Sequence, residues 1–257
     1  MAFPIKQLVA LCRKYEVQDV FVDGAHAVGQ VNVDLADIGA DYYTSNAHKW
    51  LFAPTSVAFL HCKKQPGKEE PHHIVASLKY GRGLPQEASW AGTRDYSSFQ
   101  AVYDCVEFIN NELDPFLLSS GALTDEEWDR DTFPFRYSAW NHKKFLAYAK
   151  ILTEGWGTSV VSPDDTVGCL GMVELPSLPS AQLRTGAEAL QLRHFLREKF
   201  AVEIVVDARR LTESESEYRA YVRLSVMVYT TSEDIVRLRD AVLAVRDGTA
   251  SFTLAQL

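Results

Sequence analysis

Basic charge is what this sequence is short of: 26 lysines and arginines stand against 34 aspartates and glutamates, a formal net charge of −8. A nucleic-acid surface needs a basic patch, and the longest basic clusters, Lys63-Lys64 and Arg209-Arg210, read as solvated loops. Cysteine is scarce too. The four residues Cys12, Cys62, Cys105 and Cys169 lie far apart with no C-x-x-C spacing, which argues against a disulfide framework or zinc ribbon and for a reducing compartment. No stretch approaches the roughly 18 consecutive apolar residues that span a bilayer. No signal peptide is read either, because residues 1–11 are short and Arg13-Lys14 follow them. A cytoplasmic protein is expected, with an organellar one left open, and with neither nucleic acid nor membrane as partner. There is no internal repeat and no low-complexity tract.

With 47% apolar and 23% charged residues, the chain has the composition of a globular protein with a real core. Apolar periodicity predicts a helix over 5–15, and the β-branched run Val20-Phe21-Val22 predicts a strand ending in the turn Asp23-Gly24. Residues 36–40 read as a connection, with further strands at 41–45 and 56–62. Strands joined by short links suggest an α/β sheet with helices on both faces. Three strands are few for such a sheet. Beyond the polar stretch 65–86, Phe99, Val102, Val106, Ile109 and Leu113 fall on one face of a helix over 98–113. An acidic loop at 124–131 and Pro134 then mark a boundary. Helices near 141–155, 183–199 and 232–245, with strands near 168–175, 202–206 and 221–227, form an α+β unit. The expected domains are 1–133 and 134–257.

The chemistry concentrates in residues 20–60, VFVDGAHAVGQVNVDLADIGADYYTSNAHKWLFAPTSVAFL. Taken singly, Asp23 is a turn former, His26 a loop histidine and Lys49 a surface lysine. Taken together they form a set. Asp23 and Ser45 end successive strands, where open α/β sheets bind ligands. Lys49 follows His48 and is flanked by Trp50-Leu51-Phe52; partial desolvation favours a neutral, nucleophilic amine. An amine, a carboxylate and nearby hydroxyls are what pyridoxal phosphate requires. His72-His73 does not suggest a metal site, since adjacent histidines diverge and no third ligand is near in sequence.

The motifs D-G-A-H and S-N-A-H-K-W-L resemble the cofactor motif of the class V aminotransferases, in particular the L-cysteine desulfhydrase and isopenicillin N epimerase-like branch. The resemblance covers nearly the whole chain. It implies pyridoxal 5'-phosphate as cofactor and fold type I, the aminotransferase-type α/β fold. A large domain with a mostly parallel sheet, lacking its N-terminal portion, would be followed by a small α+β domain. By position, Lys49 would carry the cofactor, Asp23 would pair with its pyridine nitrogen and His26 would lie near its phenolic oxygen. Ser45 and His48 would contact the phosphate. Trp90-Ala91-Gly92-Thr93-Arg94-Asp95 matches the family's Gly-Thr element, whose threonine, here Thr93, reaches the neighbouring subunit's phosphate in a homodimer. It also reads as a glycine turn into a helix capped by Ser97 or Ser98. Arg223, in Y-V-R-L-S-V-M-V-Y, resembles the family's substrate-carboxylate site; a guanidinium binds a carboxylate bidentately.

Relatives in this family share a first half-reaction, in which the freed lysine takes the α-proton. Reprotonation on the other face is epimerisation, and loss of a β-substituent from cysteine gives sulfide, pyruvate and ammonia. Desulfuration needs a mobile cysteine, and the corresponding loop here, DARRLTESESEY at 207–218, has none. Cysteine desulfhydration by a pyridoxal-phosphate lyase is the leading expectation, with amino-acid epimerisation or a non-catalytic partner subunit as alternatives.

Overall fold

Helix α1 (Ile5–Lys14) forms on the amphipathic pattern read from the sequence and buries Val9. The β-branched run that follows becomes β1 (Phe21–Asp23). Helix α2 (Leu35–Ile38) occupies the stretch read as a connection. Asp34 Oδ1 caps it, accepting the N–H groups of Ala36 and Asp37, both at 2.9 Å. This crossover returns the chain to β2 (Tyr42–Asn46), parallel to β1 with Val22 opposite Tyr43. The single turn α3 (Ala47–Trp50) follows at once, then β3 (Ala58–Cys62), antiparallel to β2 with Ser45 opposite Phe59. The order is β1-β2-β3. One pair is parallel and one antiparallel, because so short a return cannot make the crossover that a parallel partner needs. Val9, Val22, Ala40 and Tyr43 form the small core beneath.

Helix α4 (Leu84–Ala88) precedes α5 (Ser97–Phe108). The latter starts one residue before the sequence pattern. Asp95 Oδ1, rather than a serine hydroxyl, accepts the N–H of Ser97 at 2.8 Å. The helix also continues past 113, through a π-turn (Ile109–Leu113) into α6 (Asp114–Ser119). Pro115 explains the wide turn: it has no N–H, and its ring would clash with the carbonyl four residues back. The π-turn brings both Ile109 and Asp114, five apart, into the interior. Asp114 there accepts the N–H groups of Arg136 at 2.8 Å and Tyr137 at 3.0 Å, the first turn of α7 (Arg136–Trp156).

The computed structural model describes residues 3–64, 71–90, 92–161, 168–179, 181–210 and 218–255. They divide into a unit Pro4–Ser138 and a unit Ala139–Leu257, the division falling in the first turn of α7. The second unit contains β4 (Leu170–Glu174), α8 (Gly186–Phe200), β5 (Val205–Arg210), β6 (Tyr218–Ser225) and α9 (Ser232–Arg246). Its sheet is antiparallel with order β4-β6-β5. Capping boxes, Thr185 with Glu188 and Thr231 with Asp234, open α8 and α9. One core cluster runs through α7, the sheet, α8 and α9. The Lys144 ammonium donates to the carbonyls of Met227, Val228 and Thr230, which fixes the chain after β6. Most of the cysteine-free loop between β5 and β6 lies outside the described residues. Among the described residues, no helix is long and apolar enough to cross a membrane.

Candidate active site

Because β1 and β2 run parallel, Asp23 and Asn46 finish at the same edge of the sheet, where open α/β sheets receive ligands. Asp23 Oδ1 accepts the Ala25 N–H at 3.0 Å, which folds the D-G-A-H loop back over the strand end. Gly24 is crowded: a Cβ there would lie 2.2 Å from the Tyr43 hydroxyl. Burial, and secondarily the charge of Asp23, push the Tyr43 phenol above its ordinary pKa.

Lys49 sits on α3, one turn beyond β2. Its Nζ lies 3.2 Å from His26 Nε2, and the other ring nitrogen of His26, Nδ1, is 3.3 Å from the Trp50 indole nitrogen. The His26 carbonyl accepts the Gln30 side-chain amide at 2.8 Å. His48 turns the other way and donates from Nδ1 to the Val57 carbonyl at 2.9 Å. With Nδ1 so committed, His48 Nε2 can donate to an anion only when the ring is protonated.

The turn is held from beneath by Tyr137, whose buried hydroxyl lies 2.5 Å from the Trp50 carbonyl and 2.8 Å from the Gly29 carbonyl. Gly29 has φ +82°, and a Cβ on it would meet that hydroxyl at 2.8 Å, so glycine answers both the backbone and the space. Phe52 leaves α3 at φ +60°, a left-handed conformation costly for a bulky side chain. Its ring packs against Phe108 and Tyr137, which holds it there.

The structure thus brings together Lys49 and His26, and it places Asp23 at the end of β1, where the loop that carries His26 begins. Ser45 departs from its expected role. Its side chain is 0% exposed, and its hydroxyl donates to the Gly24 carbonyl at 2.6 Å and accepts the Val28 N–H at 3.2 Å. Strand alternation turns it inward with Tyr43, so here its hydroxyl ties β2 to the D-G-A-H loop. Thr93 lies exposed on the turn before α5, with no described contact to the lysine cluster. Arg223 belongs to the second unit, exposed on β6 opposite Met172 and Val205. His72 donates to the buried carboxylate of Glu87 at 2.9 Å.

Sequence reasoning missed Trp50, Gln30 and Tyr137. Trp50 carried a signal, since a buried tryptophan next to the reactive lysine must place its N–H somewhere. Tyr137 carried none, being far from the motif in sequence.

The description “Aminotransferase class-V” belongs to the family model that matches residues 1–95. Over 252 residues the chain is 42% identical to “Probable L-cysteine desulfhydrase, chloroplastic” of Arabidopsis thaliana, covering 96% of this chain and 49% of that protein. The chain belongs to the class-V aminotransferase family. Isopenicillin N epimerase of Streptomyces clavuligerus is 30% identical over 91% of this chain and 55% of its own length. The chain spans about half the length of the curated relatives it matches. Among solved structures, the cysteine desulfurase of Escherichia coli superposes with a TM-score of 0.57 at 15% identity, over 95% of this chain and 55% of that one. This class-V aminotransferase chain therefore has the fold type I, aminotransferase-type α/β architecture that its motifs implied.

Proposed function

We propose that this chain belongs to a pyridoxal-phosphate-dependent lyase that takes L-cysteine to sulfide, pyruvate and ammonia. The observation carrying this reading is the Lys49 amine against His26 at the carboxyl ends of a parallel strand pair, in a chain nearer to a desulfhydrase than to an epimerase. The donor set fits the cofactor: an amine for its aldehyde, a carboxylate for its ring nitrogen and an imidazole between them in sequence. When bound, pyridoxal phosphate supplies an electron sink for bond-breaking at the substrate's α-carbon.

The chain's own residues do the rest. Lys49 Nζ would hold the cofactor's aldehyde and would be the base that accepts the substrate's α-proton. His26 holds that nitrogen in position through its own Nε2. Asp23 would hold the proton on the cofactor's ring nitrogen, and His48, when protonated, would donate to its phosphate. Arg223 pairs bidentately with the substrate carboxylate. Thr93 serves the neighbouring subunit's phosphate in a homodimer, a role that its exposure allows. The chloroplastic relative supports an organellar setting beside the cytoplasmic one.

The test is sulfide release from L-cysteine by protein loaded with cofactor. Wild type should release sulfide and show a visible-edge absorbance band that borohydride removes. Lys49→Ala should lose the band and drop in rate by about 10³-fold or more, the order expected for removing an acid–base group. Racemisation without sulfide would favour the epimerase reading. A wild-type chain that forms no band would leave the non-catalytic reading standing.

A further inference from the structure

Trp50 follows Lys49 and is 3% exposed, so its indole N–H needs an internal acceptor. It meets His26 Nδ1 at 3.3 Å, with the rings edge to face at 62°. An indole nitrogen only donates, so Nδ1 of His26 is the acceptor and carries no hydrogen. A neutral imidazole has one N–H, which must then reside on Nε2. That Nε2 is the atom 3.2 Å from Lys49 Nζ. For that contact to be a hydrogen bond, the ring must donate and Nζ must accept with its lone pair. An ammonium has none.

We propose that Trp50 is a positioning residue: its indole holds His26 in the Nε2–H tautomer, which in turn favours the free amine at Lys49. Neither partner depends on the indole for its place. Tyr137 holds the Trp50 carbonyl and Gln30 holds the His26 carbonyl, so the indole bond acts on the tautomer rather than on the backbone. The tautomer follows from donor chemistry alone; only its use, presenting a nucleophilic amine to an aldehyde, rests on the proposed function.

Cofactor-free protein with isotope-labelled histidine and tryptophan supplies the test. Nitrogen NMR should show a scalar coupling across the bond from Trp50 Nε1 to His26 Nδ1, with His26 protonated at Nε2 while the ring is neutral. In Trp50→Phe the His26 tautomer ratio should shift roughly three- to tenfold toward Nδ1–H, about the equilibrium worth of one neutral hydrogen bond. Acetic anhydride should acylate Lys49 more slowly in that variant, measured against exposed Lys14 in the same digest. Wild-type His26 protonated at Nδ1 would overturn the proposal. So would a folded Trp50→Phe with unchanged tautomer and unchanged acylation. If that variant does not fold, the wild-type coupling decides alone. Loss of cofactor binding with the coupling intact would sink the proposed lyase and leave this assignment in place.

Discussion

In the unit Ala139–Leu257, Phe145, Leu152, Val173, Leu196 and Val222 are all 0% exposed and share one cluster, whereas in Pro4–Ser138 the side chains of Ile74, Val75, Leu78, Tyr103 and Phe116 stand in solvent. The second unit is held by its own apolar core. Among its described residues the first has a small cluster under its sheet and further buried apolar side chains such as Leu51, Ile109, Leu117 and Leu123, and around Lys49 polar ties add to that packing: Tyr137 to the Trp50 turn, Asp114 to two N–H groups, Ser45 to two backbone groups. Apolar truncation should therefore hurt the second unit most, and loss of single polar atoms should hurt the first.

The largest effect is expected from Phe145→Ala, which should cost about 3–5 kcal/mol in denaturant unfolding of the second unit, through lost transfer energy and a residual cavity. A cost below about 1 kcal/mol would mean that the core is not the support described. Next comes Tyr137→Phe. It removes the one O–H that the Trp50 and Gly29 carbonyls share and leaves a buried carbonyl short of a donor, a loss of about 1–3 kcal/mol. It should also loosen the lysine turn, read as faster exchange of the Leu51 amide, which bonds to the Ala47 carbonyl.

A smaller, pH-dependent effect belongs to Glu87. The hydrogen bond from His72, helped by the Gly81 N–H, holds its carboxyl below the usual carboxylate range despite burial. A carboxyl lowered on folding adds stability that is complete above the unfolded value, about 4.3 for glutamate, and lost as pH falls through the folded value. Glu87→Gln should thus be less stable than wild type at neutral pH, with the gap closing in acid. A gap constant with pH would dissociate Glu87 from His72. The smallest effect is expected from Leu78→Ser. Unfolding should change by no more than about 0.5 kcal/mol, as for an exposed side chain away from any special feature.

Much of this was legible in residue order, and the rest was not for identifiable reasons. The contact of Lys49 with His26 follows from strand–turn–lysine spacing, because strand ends and a single helical turn are local structures. The burial of Ser45 was not legible because its neighbours in sequence do not reveal which face of β2 is covered; that depends on pairing with β1 and on Tyr43. The extent of α5 was cut short at Leu113. Apolar periodicity of three and four loses its phase at a π-turn, although Pro115 was a visible warning. Tyr137 reaches the lysine turn only through tertiary contacts that no local pattern encodes, whereas Trp50, beside Lys49, carried a local signal.

The wide turn ahead of Pro115 has a bearing on chain length. An α-helix rotates about 100° per residue, so five steps would ordinarily leave Asp114 about 140° from Ile109. Here both are buried, which means that the helix stores one surplus residue without losing its orientation. Removing a residue between Ile109 and Asp114 would convert that five-step spacing into an ordinary four-step one, with the carboxylate still aimed at the start of the next helix. A one-residue deletion in this stretch should accordingly leave the lysine turn unchanged.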